Sequence, residues 1–112
     1  IIDRFVDSTM AYQHFGMNLN KNLISSINKF LLKKIKPDFT FVNLVSTKTL
    51  IKRLKKRKNK NRYDNFNNRF YNKVQKGYIK LAKNNKKYLI INSNKKINEN
   101  KNLILKQIKK LI

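Results

Sequence analysis

The sequence contains no cysteine and no tryptophan, one proline, two glycines and five acidic residues in 112. Without cysteine there are no disulfides and no thiolate metal sites, and nothing points to an oxidising compartment, so a cytoplasmic protein is expected. No apolar run approaches the roughly 20 residues a membrane-spanning helix needs, and no signal-peptide pattern is present. With only Gly16 and Gly77, far apart, there is no Gly-x-x-x-x-Gly-Lys loop to cradle a triphosphate. A lone His14 makes neither a metal site nor a convincing general base.

What is abundant is Lys (23), Asn (18) and Ile (13), and the formal charge is +23. Such a charge would suit nucleic acid or an anionic surface. Lys, Asn and Ile share A/T-rich codons, however, whereas the scarce Gly, Ala and Pro have G/C-rich ones. Genome composition therefore accounts for the charge without an anionic partner, and no specific nucleic acid and no membrane are expected. A nucleic-acid-binding module would also interleave aromatics with the cations on one surface. Here Phe30, Phe39, Phe41, Phe70 and Tyr78 fall at core spacing instead. Apolar residues make up 40% of the chain, enough for a packed core.

The periodicity alternates strands with helices. Ile1-Ile2-Asp3 reads as the end of a buried strand, in a chain that opens without methionine and so looks cut. A helix is expected over Ser8 to Phe15. A second, capped by Asn20, carries Leu23, Ile24, Ile27, Phe30 and Leu31 to about Lys34, before Pro37 stops it. Phe39 to Val45 reads as a strand apolar on both faces. Ser46 or Thr47 caps a helix with Leu50, Ile51 and Leu54, and Lys55 to Asn65 is an exposed loop or lid. Phe66, Phe70, Val74, Tyr78 and Leu81 mark another helix, Tyr88 to Ile91 a buried strand, and Ile104, Ile108 and Leu111 a last helix from about Asn98. This order implies an α/β fold with a parallel sheet covered by helices.

Several stretches carry a resemblance in chain order. Asp3-Arg4-Phe5-Val6-Asp7-Ser8-Thr9-Met10-Ala11-Tyr12-Gln13 resembles the "DRY…DSS.AYQ" signature of bacterial-type thymidylate kinases. Lys36 to Phe41 is similar to the family's "KPDLTFYLD", Leu50 to Arg57 to its "ALKRLKKRG", and Asn61-Arg62-Tyr63-Asp64 to its "DRFE". Phe70, Val74, Gly77-Tyr78 and Leu81-Ala82 resemble "F..RVR.GYL.LA". The resemblance implies that residues 1–112 are the C-terminal half of a P-loop nucleoside-monophosphate-kinase fold, with the P-loop upstream and a lid at about 55–65. It also implies phosphoryl transfer from ATP to dTMP, giving dTDP, with Mg2+, in a homodimer.

Residue roles follow from the same resemblance. Arg4 would grip the dTMP phosphate, a task its planar fork suits, and Asp3 would support it or a magnesium ion through water. Ser8, Thr9, Tyr12 and Gln13 would hold the nucleoside. Arg53, Arg57 and Arg62 would clamp the ATP phosphates from the lid. Four of only five arginines fall at family arginine positions in a chain otherwise given to lysine, while Arg69 matches nothing. Departures include Lys58 in place of a lid glycine, Met17 and His14 in place of Arg and Gly, and Asn61 and Asp64 in place of Asp and Glu. Asn92-Ser93 stands where the family's adenine loop has "DA". The 112 residues alone are expected to be inactive. A kinase-like remnant without catalysis and a basic nucleic-acid-binding module are the other readings.

Overall fold

The structure, a computed structural model, describes the backbone of residues 1–112 and every side chain except that of Tyr63. The chain runs α1 (Val6–Thr9), a π-helical segment (Met10–Gly16), α2 (Lys21–Leu32), β1 (Thr40–Leu44) and α3 (Thr47–Lys56). A 3-10 turn (Arg62–Asn65), α4 (Asn68–Ala82), β2 (Tyr88–Asn92) and α5 (Ile97–Leu111) follow. The two strands pair in parallel, with Thr40 opposite Tyr88 and Leu44 opposite Asn92. Such a pair needs a crossover between its strands, and α3 and α4 provide it. Among the described residues no helix is long and apolar enough to cross a membrane.

The caps follow the sequence. Asn20, Ser46 and Asn67 each accept a backbone N–H three residues on, from Leu23, Thr49 and Phe70, satisfying donors that a helix start leaves orphaned. α3 and α5 begin close to where their patterns place them, and α4 begins at Asn68, leaving Phe66 ahead of the helix.

Three expectations are corrected. Ile1 to Asp3 is not a strand: its backbone pairs with neither β1 nor β2, and Ile2 is 54% exposed. A strand exists only through its neighbours, whatever its propensity. The predicted helix over Ser8–Phe15 is a short α-turn that widens into the π-segment, with the Met17 N–H reaching back five residues to the Tyr12 carbonyl. In α2, of the five stripe residues only Ile24 is buried. Leu23, Ile27, Phe30 and Leu31 face outward, because α2 meets the rest of the molecule only along the line of Ile24 and Asn28.

The core forms where the π-segment packs on α4. Ala11 is fully buried among Phe70, Tyr71 and Val74, with Tyr12, Met17, Leu50, Leu54 and Tyr78 around them. Phe66 stacks on Phe70 at 4.0 Å between centroids, and Tyr12 meets Phe70 edge-on at 5.9 Å. The chain's two glycines are the contact points. A Cβ on Gly16 would stand 2.6 Å from the Phe70 ring, and one on Gly77 would stand 2.6 Å from the ring of Phe15. Each glycine thus receives an aromatic ring from the opposite element.

Gly77→Ala forces the Phe15 ring out of its place. Overpacking of this kind costs about 1–3 kcal/mol, so urea denaturation should show a lower midpoint with an unchanged slope. A variant as stable as wild type would show that this contact is not tight.

Candidate active site

The site is built from the N-terminal segment and from the elements between β1 and α4. Arg4 sits at φ 60°, in the left-handed region that non-glycine residues rarely enter. Its guanidinium lies over the Tyr12 ring, 5.2 Å from the centroid, and Nη2 donates to the Tyr12 hydroxyl at 3.4 Å. A residue held in this region costs of order 1–3 kcal/mol unless its surroundings impose it, and such strain gathers at functional sites.

The turn after Arg4 is tied down at three points. The Asn28 amide donates to the Val6 carbonyl at 3.0 Å. The Tyr88 hydroxyl donates to Asp7 Oδ2 at 2.8 Å, joining β2 to α1. Ser8 and Tyr78 share a 2.6 Å hydrogen bond across to α4. Burial and the Asp7 carboxylate beside it push the Tyr88 phenol up to about 12. Burial also raises Tyr78, against the opposing pull of its bond with Ser8.

The opposite wall comes from the C-terminal end of β1 and the segment after α3. Arg57 grips Asp64 with two hydrogen bonds from Nη1, 3.0 and 3.1 Å long, and the Asn61 N–H reaches Asp64 Oδ2 at 2.7 Å. The Asp64 side chain is only 7% exposed, while that of Arg57 is 52% exposed. Burial, and then the Asp64 charge, raise Tyr71. Between the walls lies a cleft of about 400 Å³, floored by Leu50, Leu54 and Val74 and edged by Tyr71, Gln75 and Tyr78 of α4.

Of the residues singled out in the sequence, Arg4, Tyr12 and Arg57 line this cleft. Ser8 reaches it through Tyr78, which is in the lining. Thr9 and Gln13 are half-buried outside the lining, and Asp3 is exposed beside Arg4. Arg53 turns away, donating to the Ser93 carbonyl at 2.7 Å, so it joins α3 to the loop after β2. Arg62 opens the 3-10 turn and is also outside the lining. Asp64, Tyr71 and Gln75 were not foreseen as cleft residues. Residues 71, 75 and 78 fall at i, i+4 and i+7, so one helix face was the available signal.

The described residues include no group of three His, Asp or Glu side chains that could hold a metal ion. Magnesium in phosphoryl transfer is held largely by substrate phosphates and water with one or two carboxylates. Asp3 is exposed and outside the cleft lining, and Asp64 is engaged by Arg57.

A sequence profile described as thymidylate kinase matches residues 1–104. The curated thymidylate kinase of Mycoplasma capricolum subsp. capricolum is 40% identical over 111 residues, which cover 96% of this chain and 52% of that protein. That of Thermosipho melanesiensis is 32% identical over 112 residues, 100% of this chain and 54% of that protein. That of Trichodesmium erythraeum is 38% identical over 94 residues, covering 84% and 42% respectively. The chain spans about half the length of the curated relatives it matches.

Two outcomes follow from the ties around the cleft. An unfolded tyrosine ionises near 10.0 and Tyr88 near 12, so between these values the unfolded chain sheds a proton that the folded one keeps. Stability therefore falls as pH rises through that window. In a tyrosinate absorbance titration, Tyr88→Phe should remove the component that titrates near 12; its persistence would assign it to another tyrosine. Asp64→Ala removes both acceptors of the Arg57 grip, and trypsin should then cut within residues 55–62 faster than in wild type. An unchanged cleavage rate would mean the ion pair does not hold the segment.

Proposed function

The chain belongs to the thymidylate kinase family, and from that premise we propose that it furnishes the acceptor grip and lid of an enzyme transferring the γ-phosphoryl of ATP to dTMP. The product is dTDP. Family membership brings with it the α/β P-loop nucleoside-monophosphate-kinase fold, to which the parallel pair β1–β2 and its covering helices belong. The observation that carries the functional reading is the convergence of Arg4 and Arg57 on one cleft from segments more than fifty residues apart.

Phosphoryl transfer asks a protein mainly for positioning and for positive charge around the spreading charge of the transferred group. Arg4 holds the dTMP phosphate, fixed in place by its strained backbone and by Tyr12 beneath it. Tyr12, with Ser8, Thr9 and Gln13 on the same helical run, receives the nucleoside. Arg57 takes the donor side. It reaches the ATP phosphates by exchanging one anion, Asp64, for another. Arg53 and Arg62 complete the lid once it closes over ATP, which for Arg53 means leaving the Ser93 carbonyl.

Magnesium, when bound by the phosphates, neutralises their charge, and Asp3 is the carboxylate beside Arg4 that could meet its water shell. The reaction also needs a glycine-rich cradle for the ATP phosphates, which residues 1–112 do not contain. The outward apolar row Leu23, Ile27, Phe30 and Leu31 on α2 is surface that self-association would bury, in line with a homodimer. A cytoplasmic setting fits a chain with no cysteine.

Calorimetry with dTMP tests the acceptor grip. Arg4→Met removes charge-assisted hydrogen bonds worth about 1.5–3 kcal/mol, so binding should weaken roughly tenfold or more. Equal binding by the two proteins would remove Arg4 from the site. In a coupled assay that detects ADP, the 112 residues alone should give no turnover with ATP and dTMP. Measurable turnover would show that the cradle is dispensable.

A further inference from the structure

Gln75 lies on α4 one turn from Tyr71 and one from Tyr78, and its side chain lines the same cleft as Arg4 and Arg57. Its carboxamide has a defined orientation. Oε1 accepts the backbone N–H of Val45 at 3.0 Å, and because an N–H can meet only an acceptor, this bond decides which end of the amide is oxygen. The NH2 end is left on the other prong, and among the described residues neither of its donors meets an acceptor. The residue is half-buried rather than sealed in, so those donors are open to whatever occupies the cleft.

The surroundings select an anion. Arg4 and Arg57 reach the cleft from two different segments, and the carboxylate in its lining, Asp64, is already gripped by Arg57. A tetrahedral oxyanion takes donors from several directions at once. A neutral amide adds two without adding a third positive charge to repel the two guanidiniums. Its anchor is the backbone directly after β1, so the donors need little reorganisation when a ligand arrives.

We infer that Gln75 is a further substrate-contacting residue, its side-chain N–H donors holding a phosphoryl oxygen of a nucleoside phosphate between Arg4 and Arg57. The inference rests on reading the cleft as the place of phosphoryl transfer. It extends that reading to a residue that neither the motif residues nor the arginine pattern indicated.

Two substitutions separate a donor from a merely structural side chain. Q75E keeps an acceptor for Val45 but replaces the donors with a negative charge. Q75K loses that acceptor yet still presents cationic donors. With inorganic pyrophosphate as the probe in calorimetry on the 112-residue chain, Q75E should bind about tenfold more weakly or worse, and Q75K should stay within about threefold of wild type. A residue that only braces Val45 gives the reverse order, and that order overturns the inference. Thermal melts of both variants accompany the titrations. If Q75E fails to fold, Q75K decides: binding retained supports the inference, and binding lost with an intact fold overturns it, as does failure of both to fold. Wild-type binding that Q75E leaves untouched sinks this inference and spares the phosphoryl-transfer reading. Absence of pyrophosphate binding by wild type, with Arg4→Met no different, sinks both.

Discussion

Two helices can approach only as closely as the side chains between them allow, and in this molecule that limit is set at two positions. Gly16 admits the ring of Phe70 and Gly77 admits the ring of Phe15. The contact is reciprocal, so neither the π-segment nor α4 can shift without losing an aromatic from the other's surface. Everything near the cleft inherits this placement. Ala11 is sealed against Val74 and Tyr71, Tyr12 is set edge-on against Phe70, and Arg4 is laid over Tyr12. Glycine is costly in a helix interior, by roughly 0.5–1 kcal/mol relative to alanine. A chain this poor in glycine that nonetheless places both of them in helices uses them for approach rather than for turning.

The turns show the other side of that economy. Where the backbone enters the left-handed region after α4 and after the π-segment, the residues are Asn84 and Asn18, and asparagine tolerates that region better than most side chains do. Arg4 is the third such residue and the one without a conformational excuse. Its position is imposed by its neighbours: the Asn28 bond to Val6, the Tyr88 bond to Asp7 and the Ser8 bond to Tyr78 hold the turn that follows it. The strain and the three ties belong together, since a strained residue persists only where its surroundings over-determine it.

Much of this was legible in the sequence, and the limits have physical causes. Helix starts were readable because Asn20 and Ser46 are capping side chains whose geometry is local. The strands at 40–44 and 88–92 were readable because β-branched and aromatic runs suit a pleated surface. Ile1 to Asp3 was not, because strand formation is a property of pairs. The π-segment was hidden for a similar reason: its widening serves the seating of Phe15 and Gly16 against α4, a contact made with residues some sixty positions away. Asp64 was met in the sequence only as a departure from a glutamate. Its engagement with Arg57 depends on the chain doubling back through the 3-10 turn.

Arginine and lysine divide the work of a strongly cationic chain in a way that explains which charges matter. Lysines are spread over exposed helix faces, where an ammonium keeps its hydration and contributes little to the fold. Arg4, Arg53 and Arg57 each make an interaction that uses guanidinium geometry: a stacked ring, a carbonyl across two elements, a carboxylate gripped from one nitrogen. These contacts keep Arg53 and Arg57 ordered, and for Arg57 the Asp64 carboxylate also offsets the charge beside a cleft that Arg4 lines as well. The Arg57–Asp64 pair thereby lowers the repulsion between the two guanidiniums, Arg4 and Arg57, that line the same cleft.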